Sequence, residues 1–150
     1  MKRPILRPSL PIVLAGLAAC TSSLSREKRA WERGRPSSYI FEYQYTCFCP
    51  GSGAWWKVAV DGDAVTNVDL IDSTQVRRGL TYLRSLRQPT LSGLFDEIAQ
   101  WTAPASATYH VNYDPQWHFP AAAQGVDFNR TDSRWTIVVR RLQAGRSGSK

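Results

Sequence analysis

The chain has 150 residues, of which 43% are hydrophobic and 11% aromatic, a size and composition typical of one globular domain and not of a disordered chain. Its net charge of +7 is uneven, because the basic excess lies at the two ends and residues 36–139 hold seven basic and ten acidic residues. This distribution argues against a basic groove for DNA or RNA, so we expect no nucleic-acid partner.

Residues 1–19 have the pattern of an export signal. Three basic residues precede a short apolar run, Leu10–Leu17, which is too short to span a bilayer. Small residues then lead into Cys20, and here the sequence resembles the bacterial lipobox, in which the leader is cut before a cysteine that becomes a diacylglyceryl thioether. The resemblance implies a lipoprotein signal peptide over residues 1–19 and a lipid anchor on Cys20. The alternative is a soluble protein with an apolar tail and a chance cysteine.

The lipobox resemblance also implies a location. The mature chain is expected in the cell envelope, anchored to a membrane. Because Thr21 and not Asp follows the cysteine, the resemblance favours the outer membrane facing the periplasm in a cell that has one.

Residues 20–35 are expected to form a lipidated tether that ends in a short helix. Ser25 is a candidate N-cap, Gly34 is a candidate stop, and Trp31 is the single anchor of this helix onto a domain. The basic residues of the tether can contact anionic lipid headgroups, or they can be a solvated linker.

Alternating residues predict a strand from Tyr39 to Cys49, followed by a hairpin. A second strand begins at Trp56, Asp61-Gly62-Asp63 forms the turn because a primed turn needs residues that tolerate positive φ, and Ala64–Leu70 returns as a third strand. The first strand has one predominantly aromatic face that also includes a cysteine: Tyr39, Phe41, Tyr43, Tyr45 and Cys47. These aromatic residues are expected in the core, although a ligand pocket lined by the tyrosines is a further possibility.

The second half of the chain predicts one clear helix and further strands. Residues 72–88 have only a weak helical pattern, whereas Thr90 is a good N-cap for a helix that runs past Trp101 and ends at Pro104. The expected strands are Tyr109–Tyr113, Val126–Phe128 and Trp135–Val139, and residues 143–150 are expected to be disordered. The predicted fold is therefore α+β, with residues 36–142 as a single domain in two layers: an antiparallel sheet packed on one main helix.

A set of short motifs in this order resembles a family of small bacterial secreted or lipid-anchored proteins that share a domain of unknown function. The resemblance covers about residues 30–140, and it implies a fold and a location but no reaction. Its pieces are Tyr39-Ile40-Phe41-Glu42-Tyr43 after Trp31, Cys47-Phe48-Cys49, Val58-Ala59-Val60-Asp61-Gly62, Pro89-Thr90 before Leu94-Phe95-Asp96-Glu97-Ile98, and Tyr113-Asp114-Pro115.

Cys47 and Cys49 are the one pair of residues with candidate chemistry. With Cys20 committed to lipid, an even number of cysteines remains for an oxidising compartment. Residues i and i+2 of a strand face the same way at a separation near the upper limit for a disulfide, so a structural bridge is the leading interpretation. Reduced buried thiols, redox chemistry and metal binding are the alternatives.

No catalytic or cofactor motif accompanies this pair. A metal site would need His110 and His118, whose spacing matches no zinc motif, so we expect no metal and no cofactor. The sequence therefore predicts a non-enzymatic, lipid-anchored envelope protein whose domain serves in binding or envelope assembly. Its expected partners are the membrane and an unidentified envelope protein or small ligand. The alternative function is a thiol-active envelope protein that uses Cys47 and Cys49.

Overall fold

A computed structural model describes residues 23–48, 52–71 and 89–145, which form two helices and six strands. In chain order they are α1 (Ser23–Gly34), β1 (Ser38–Cys47), β2 (Trp55–Asp61), β3 (Ala64–Leu70), α2 (Leu91–Thr102), β4 (Ala107–Tyr113), β5 (Pro120–Asp127) and β6 (Trp135–Ala144). Every strand pairing is antiparallel, and the sheet order is β3-β2-β1-β6-β5-β4. Two three-stranded meanders therefore meet at the centre of the sheet, where β1 pairs with β6.

The predicted fold class, an antiparallel sheet packed on one main helix, is wrong. The six-stranded sheet dominates the described chain, and the two helices have the same length of 12 residues, so neither is a main helix. The sequence understated the sheet because β5 begins with Pro120 and three alanines, which give no alternation of polar and apolar residues. It understated the length of α1 because only two residues of that helix, Leu24 and Trp31, are buried and give an apolar pattern.

The aromatic face of β1 forms the centre of the core, as predicted. Tyr39, Phe41 and Tyr43 are buried with residues of both helices, so the alternative of a ligand pocket lined by the tyrosines does not hold for Tyr39 and Tyr43. The antiparallel register places apolar residues of β2 and β6 beside them on the same face. The rest of this core comes mainly from β2, β6 and the helices: Trp56, Val58, Val60, Ile137, Val139, Trp31, Leu91, Leu94, Phe95 and Ile98.

The hairpin and the cap of α2 confirm two local predictions. Gly62 has φ of 60° in the turn between β2 and β3, a conformation that glycine adopts without steric cost. The Thr90 side chain accepts a hydrogen bond of 3.0 Å from the Gly93 N–H, as expected for an N-cap. A second donor of this helix end, the Leu91 N–H, donates to the buried Tyr39 hydroxyl at 3.2 Å and ties α2 to β1.

α1 is held to the domain by its aromatic anchor and by two ion pairs, one of which joins Lys28 to Asp96 of α2 at 2.5 Å. The Trp31 indole N–H donates to Ser92 Oγ at 3.1 Å, and its ring meets Phe119 edge to face, with ring centroids 6.1 Å apart. Glu27 pairs with His118 at 2.8 Å, and the hydrogen bond from His118 lowers the pKa of Glu27. The predicted role of Trp31 as an anchor is confirmed, because this side chain is fully buried.

A β-bulge in β6 gathers two arginines around one buried carboxylate. The register between β1 and β6 shifts between Ile40 and Glu42, and Arg141 takes up the extra residue with φ of 55°. Arg140 and Arg141 consequently both donate to Glu42, at 2.6 and 2.9 Å. Burial opposes the charge on Glu42, but these hydrogen bonds outweigh it and hold the pKa of that carboxyl below its ordinary value.

Several predictions fall outside the described residues. They concern the signal peptide, Cys20, Cys49, the 72–88 segment and the last five residues of the tail. β6 itself runs to Ala144, and the Gly145 N–H donates to the Ser38 carbonyl, so pairing continues past the expected end of the domain at residue 142. Among the helices of the described ranges, none has the length and apolar character needed to cross a membrane.

Candidate functional site

A cleft of about 280 Å³ opens where the end of α2 meets the sheet. β1 contributes Tyr45 and Cys47, α2 contributes Gln100 and Trp101, and the connection from β5 to β6 supplies the rest of the rim. A concave site with an apolar wall and a few fixed polar groups is the usual form of a small-molecule site. We call this site the aromatic cleft. Its remaining lining residues are Pro104 after α2, the last residue of β5, the β5–β6 connection and the first residue of β6: Pro104, Asp127, Arg130, Thr131, Asp132, Ser133, Arg134 and Trp135.

Three rings form the apolar wall of the aromatic cleft. Tyr45 and Trp101 stack with ring centroids 5.4 Å apart and planes inclined by 21°. The ring centroids of Trp101 and Trp135 are 5.1 Å apart. Trp135 fits because its neighbour on β5 is Gly125, where an added Cβ would lie 2.6 Å from the indole ring. The wall thus depends on a glycine that leaves the strand surface flat beneath Trp135.

The rim of the cleft is fixed by hydrogen bonds around Asp127. The Ser106 hydroxyl and the Asn129 N–H both donate to the Asp127 carboxylate, and the hydrogen bond from Ser106 is the main cause of its lowered pKa. Ser133 closes the loop, since its hydroxyl accepts from the Asp127 N–H at 2.9 Å and donates to the Asp127 carbonyl at 2.6 Å. These contacts hold the β5–β6 connection in one shape before any ligand binds.

A partly buried carboxyl group lies behind the wall. Burial raises the pKa of Glu97, which precedes Trp101 by one turn of α2. Burial, followed by the nearby charge of Glu97, also raises the pKa of Tyr43 and Tyr45. Within the described residues Glu97 makes no ion pair, and it is not part of the cleft lining. This group therefore adds a poorly solvated negative charge beneath the aromatic wall.

Cys47 is the one predicted site residue that the structure places in the cleft. It is disulfide-bonded, and its backbone N–H donates to Ser52 Oγ at 3.0 Å. Cys49 and Cys20 lie outside the described residues. The Cys47–Cys49 bridge and the lipidation of Cys20 therefore stay predictions.

The two histidines lie apart from the cleft. His110 is on β4, exposed and within 2.9 Å of Asn112 Oδ1, whereas His118 pairs with Glu27 of α1. In the parts of the chain that the structure describes, no group of three or more His, Cys, Asp or Glu side chains could hold a metal ion. The considered zinc site therefore has no support from the positions of His110 and His118.

A second concavity, of about 460 Å³, lies over β4, β5 and β6. The stacked rings and the hydrogen-bonded rim described above belong to the aromatic cleft, so we take that cleft as the candidate site. The exposed or half-buried polar residues of the second concavity include Thr108, His110, Gln124, Arg134 and Thr136.

The sequence indicated the aromatic residues of the cleft, but it did not indicate that their rings pack together. Tyr45 and Trp135 were each predicted on a strand and Trp101 on the helix. Their assembly depends on the pairing of β1 with β6, in which Tyr45 faces Ile137 and Cys47 faces Trp135. Partners almost 90 residues apart leave no local signal in one sequence.

Comparison with known proteins identifies a family but no activity. No curated protein and no solved structure matches the chain. The model of a family of unknown function, DUF6174, matches residues 23–144, which include both helices and all six strands. The chain therefore belongs to the DUF6174 family.

Proposed function

We propose that this protein is a lipid-anchored bacterial envelope protein whose domain is a non-enzymatic module for binding or envelope assembly. The anchor rests on the lipobox-like sequence before Cys20 and on the resemblance to lipid-anchored relatives. The binding role rests on the aromatic cleft. Its location is the envelope, at the outer membrane facing the periplasm where the cell has one, and nucleic acid is not among its partners.

The observation that carries the binding role is a preformed cleft with an aromatic wall and a hydrogen-bonded rim. The rim carries no net charge, because it contains two arginines and two aspartates: Arg130, Arg134, Asp127 and Asp132. Such a site suits an uncharged or zwitterionic ring-bearing group of an envelope component, which would contact the rings and receive hydrogen bonds from the rim. We propose no reaction, because the Asp127 carboxylate already accepts hydrogen bonds from Ser106 and Asn129.

Metabolic labelling with a lipid precursor tests the anchor. We expect the wild-type chain to incorporate label and the Cys20→Ser chain to incorporate none, because the thioether needs the cysteine sulfur. Mass spectrometry of the mature N-terminus would locate the modification. Equal labelling of both chains would contradict the anchor.

Crosslinking in intact envelopes tests the binding role. A photoreactive side chain at the cleft residue Thr131 is expected to capture one defined envelope component. The capture should fall at least several-fold in Trp101→Leu, which keeps an apolar side chain but removes an aromatic face of the wall. The control position is Asn67, exposed on β3 and outside the cleft. Identical products from both positions, or products unaffected by Trp101→Leu, would remove the cleft from the proposal.

A second candidate function is a thiol-active envelope protein that uses Cys47 and Cys49. The observation in its favour is that the disulfide-bonded Cys47 lines the cleft, where a bound molecule can reach it. An accessible disulfide exchanges with thiols more readily than a buried one, which is the property a redox role requires.

A further inference from the structure

Three arginines form a stripe along the outer face of α1. Arg26, Arg29 and Arg33, here called the arginine stripe, are spaced by three and four residues and therefore lie on one side of the helix. The opposite side carries Leu24 and Trp31, the two buried residues of α1. All three arginines are exposed, so the stripe points away from the core.

The acidic residues of α1 leave this stripe largely uncompensated. Glu27 turns toward the domain and pairs with His118, and Glu32 lies 3.8 Å from Lys28 on the flank of the helix. Arg26 also contacts Glu27, yet 69% of its side chain stays exposed. Arg29 and Arg33 make no ion pair with any residue that the structure describes. The outer face of α1 is therefore cationic.

We propose that the arginine stripe docks α1 on an anionic phospholipid surface, an inference that rests on the proposed lipid anchor at Cys20. Only two residues, Thr21 and Ser22, lie between Cys20 and Ser23, so three residue steps lead from the anchor to the start of α1. Three extended residues span at most about 10 Å, so acyl chains on Cys20 would hold the first turn of α1 close to the headgroups. This distance is comparable to the Debye length of about 8 Å at physiological ionic strength, within which charges attract effectively.

The length of α1 brings the rest of the stripe to the same surface. Arg33 follows Arg26 by seven residues, which is roughly 10 Å along a helix axis. A helix that lies flat on the membrane therefore places all three guanidinium groups against phosphate while Trp31 stays in the domain core. The acyl chains supply attachment, and the stripe sets which side of the domain faces the lipid.

Vesicle co-sedimentation tests the docking surface. The full chain carrying Cys20→Ser is mixed with phosphatidylcholine vesicles that contain or lack about one third phosphatidylglycerol. The triple variant Arg26→Gln, Arg29→Gln, Arg33→Gln is expected to bind the anionic vesicles on the order of a hundred-fold more weakly than the parent chain. Glutamine has a helix propensity close to that of arginine, so α1 should persist. The difference should shrink at about 1 M salt, where the Debye length is only about 3 Å.

A charge-matched control separates the stripe from net charge. Lys57→Gln, Arg78→Gln, Arg84→Gln removes the same charge from positions that belong neither to α1 nor to the aromatic cleft, and it should bind like the parent chain. The proposal is overturned if the stripe variant binds as tightly as the parent, or if the control variant loses as much affinity. Because this chain has no acylated cysteine, the vesicle result is independent of the labelling test, and either proposal can fail alone.

Discussion

Glu42 and Glu97 both have partly or fully buried side chains, but their pKa values are shifted in opposite directions. Glu42 receives hydrogen bonds from Arg140 and Arg141, so its pKa is lowered and its charge is compensated. Glu97 makes no ion pair among the described residues, and burial raises its pKa. Groups with perturbed pKa values cluster at functional sites, and Glu97 lies one helical turn from Trp101 of the aromatic cleft.

The sign of the Glu97 effect gives a test at neutral pH. A carboxyl whose pKa is raised on folding destabilises the folded state above that pKa, and the penalty disappears as pH falls below its ordinary value of 4.5. Glu97→Gln is therefore expected to increase the free energy of unfolding at pH 7 by on the order of 1 kcal/mol. Urea denaturation at pH 7 and at about pH 4 should show this gain only at the higher pH.

A matched control for Glu97→Gln is Glu32→Gln, which removes one negative charge from an exposed position on α1. Its effect on stability should be within about 0.5 kcal/mol at both pH values, as is usual for surface substitutions. A loss of stability in Glu97→Gln at pH 7 would mean that the charged form of Glu97 is favoured in the fold.

At the scale of elements, the sequence predicted best where side chains alternate between water and core. β1 was recognised because its aromatic residues recur at every second position, and the β2–β3 hairpin because Gly62 sits between two aspartates. Thr90 likewise marked the start of α2 by an interaction within one helical turn. Each of these signals is local, so a single sequence contains it in full.

Features that depend on distant partners were predicted in part or not at all, and of β5 only the end was expected as a strand, at Val126–Phe128. β5 pairs with β4 and β6 through small residues such as Ala122 and Ala123, whose sequence resembles a loop or a helix as much as a strand. The bulge at Arg141 accompanies the contacts of two arginines of β6 with Glu42, which is almost 100 residues away. The aromatic cleft was missed for the same reason, since α2 and the two central strands must pack before Tyr45, Trp101 and Trp135 meet.

At the scale of the whole molecule, the proposed envelope location bears on the roles of the three cysteines. If Cys20 carries lipid and Cys47 is bridged to Cys49, the mature protein has no free thiol, and its disulfide serves stability. The loop closed by such a bridge holds only three residues, so the chain-entropy model gives a stabilisation of only about 1.5 kcal/mol. A redox-active pair would make a similarly modest contribution to stability, so stability alone does not separate the two functions.

Thiol counting and a double substitution separate them together. We expect the mature protein, denatured without reductant, to show no reactive thiol, and two after strong reduction. We also expect Cys47→Ser, Cys49→Ser to lose about 1.5 kcal/mol of unfolding free energy while it keeps the crosslinked product captured from Thr131. Both results favour the binding module, because its cleft depends on the conformation of β1 and does not require a reactive thiol. Two free thiols in the untreated protein, or a bridge that a mild thiol reduces in the folded state together with loss of capture, would favour the thiol-active protein.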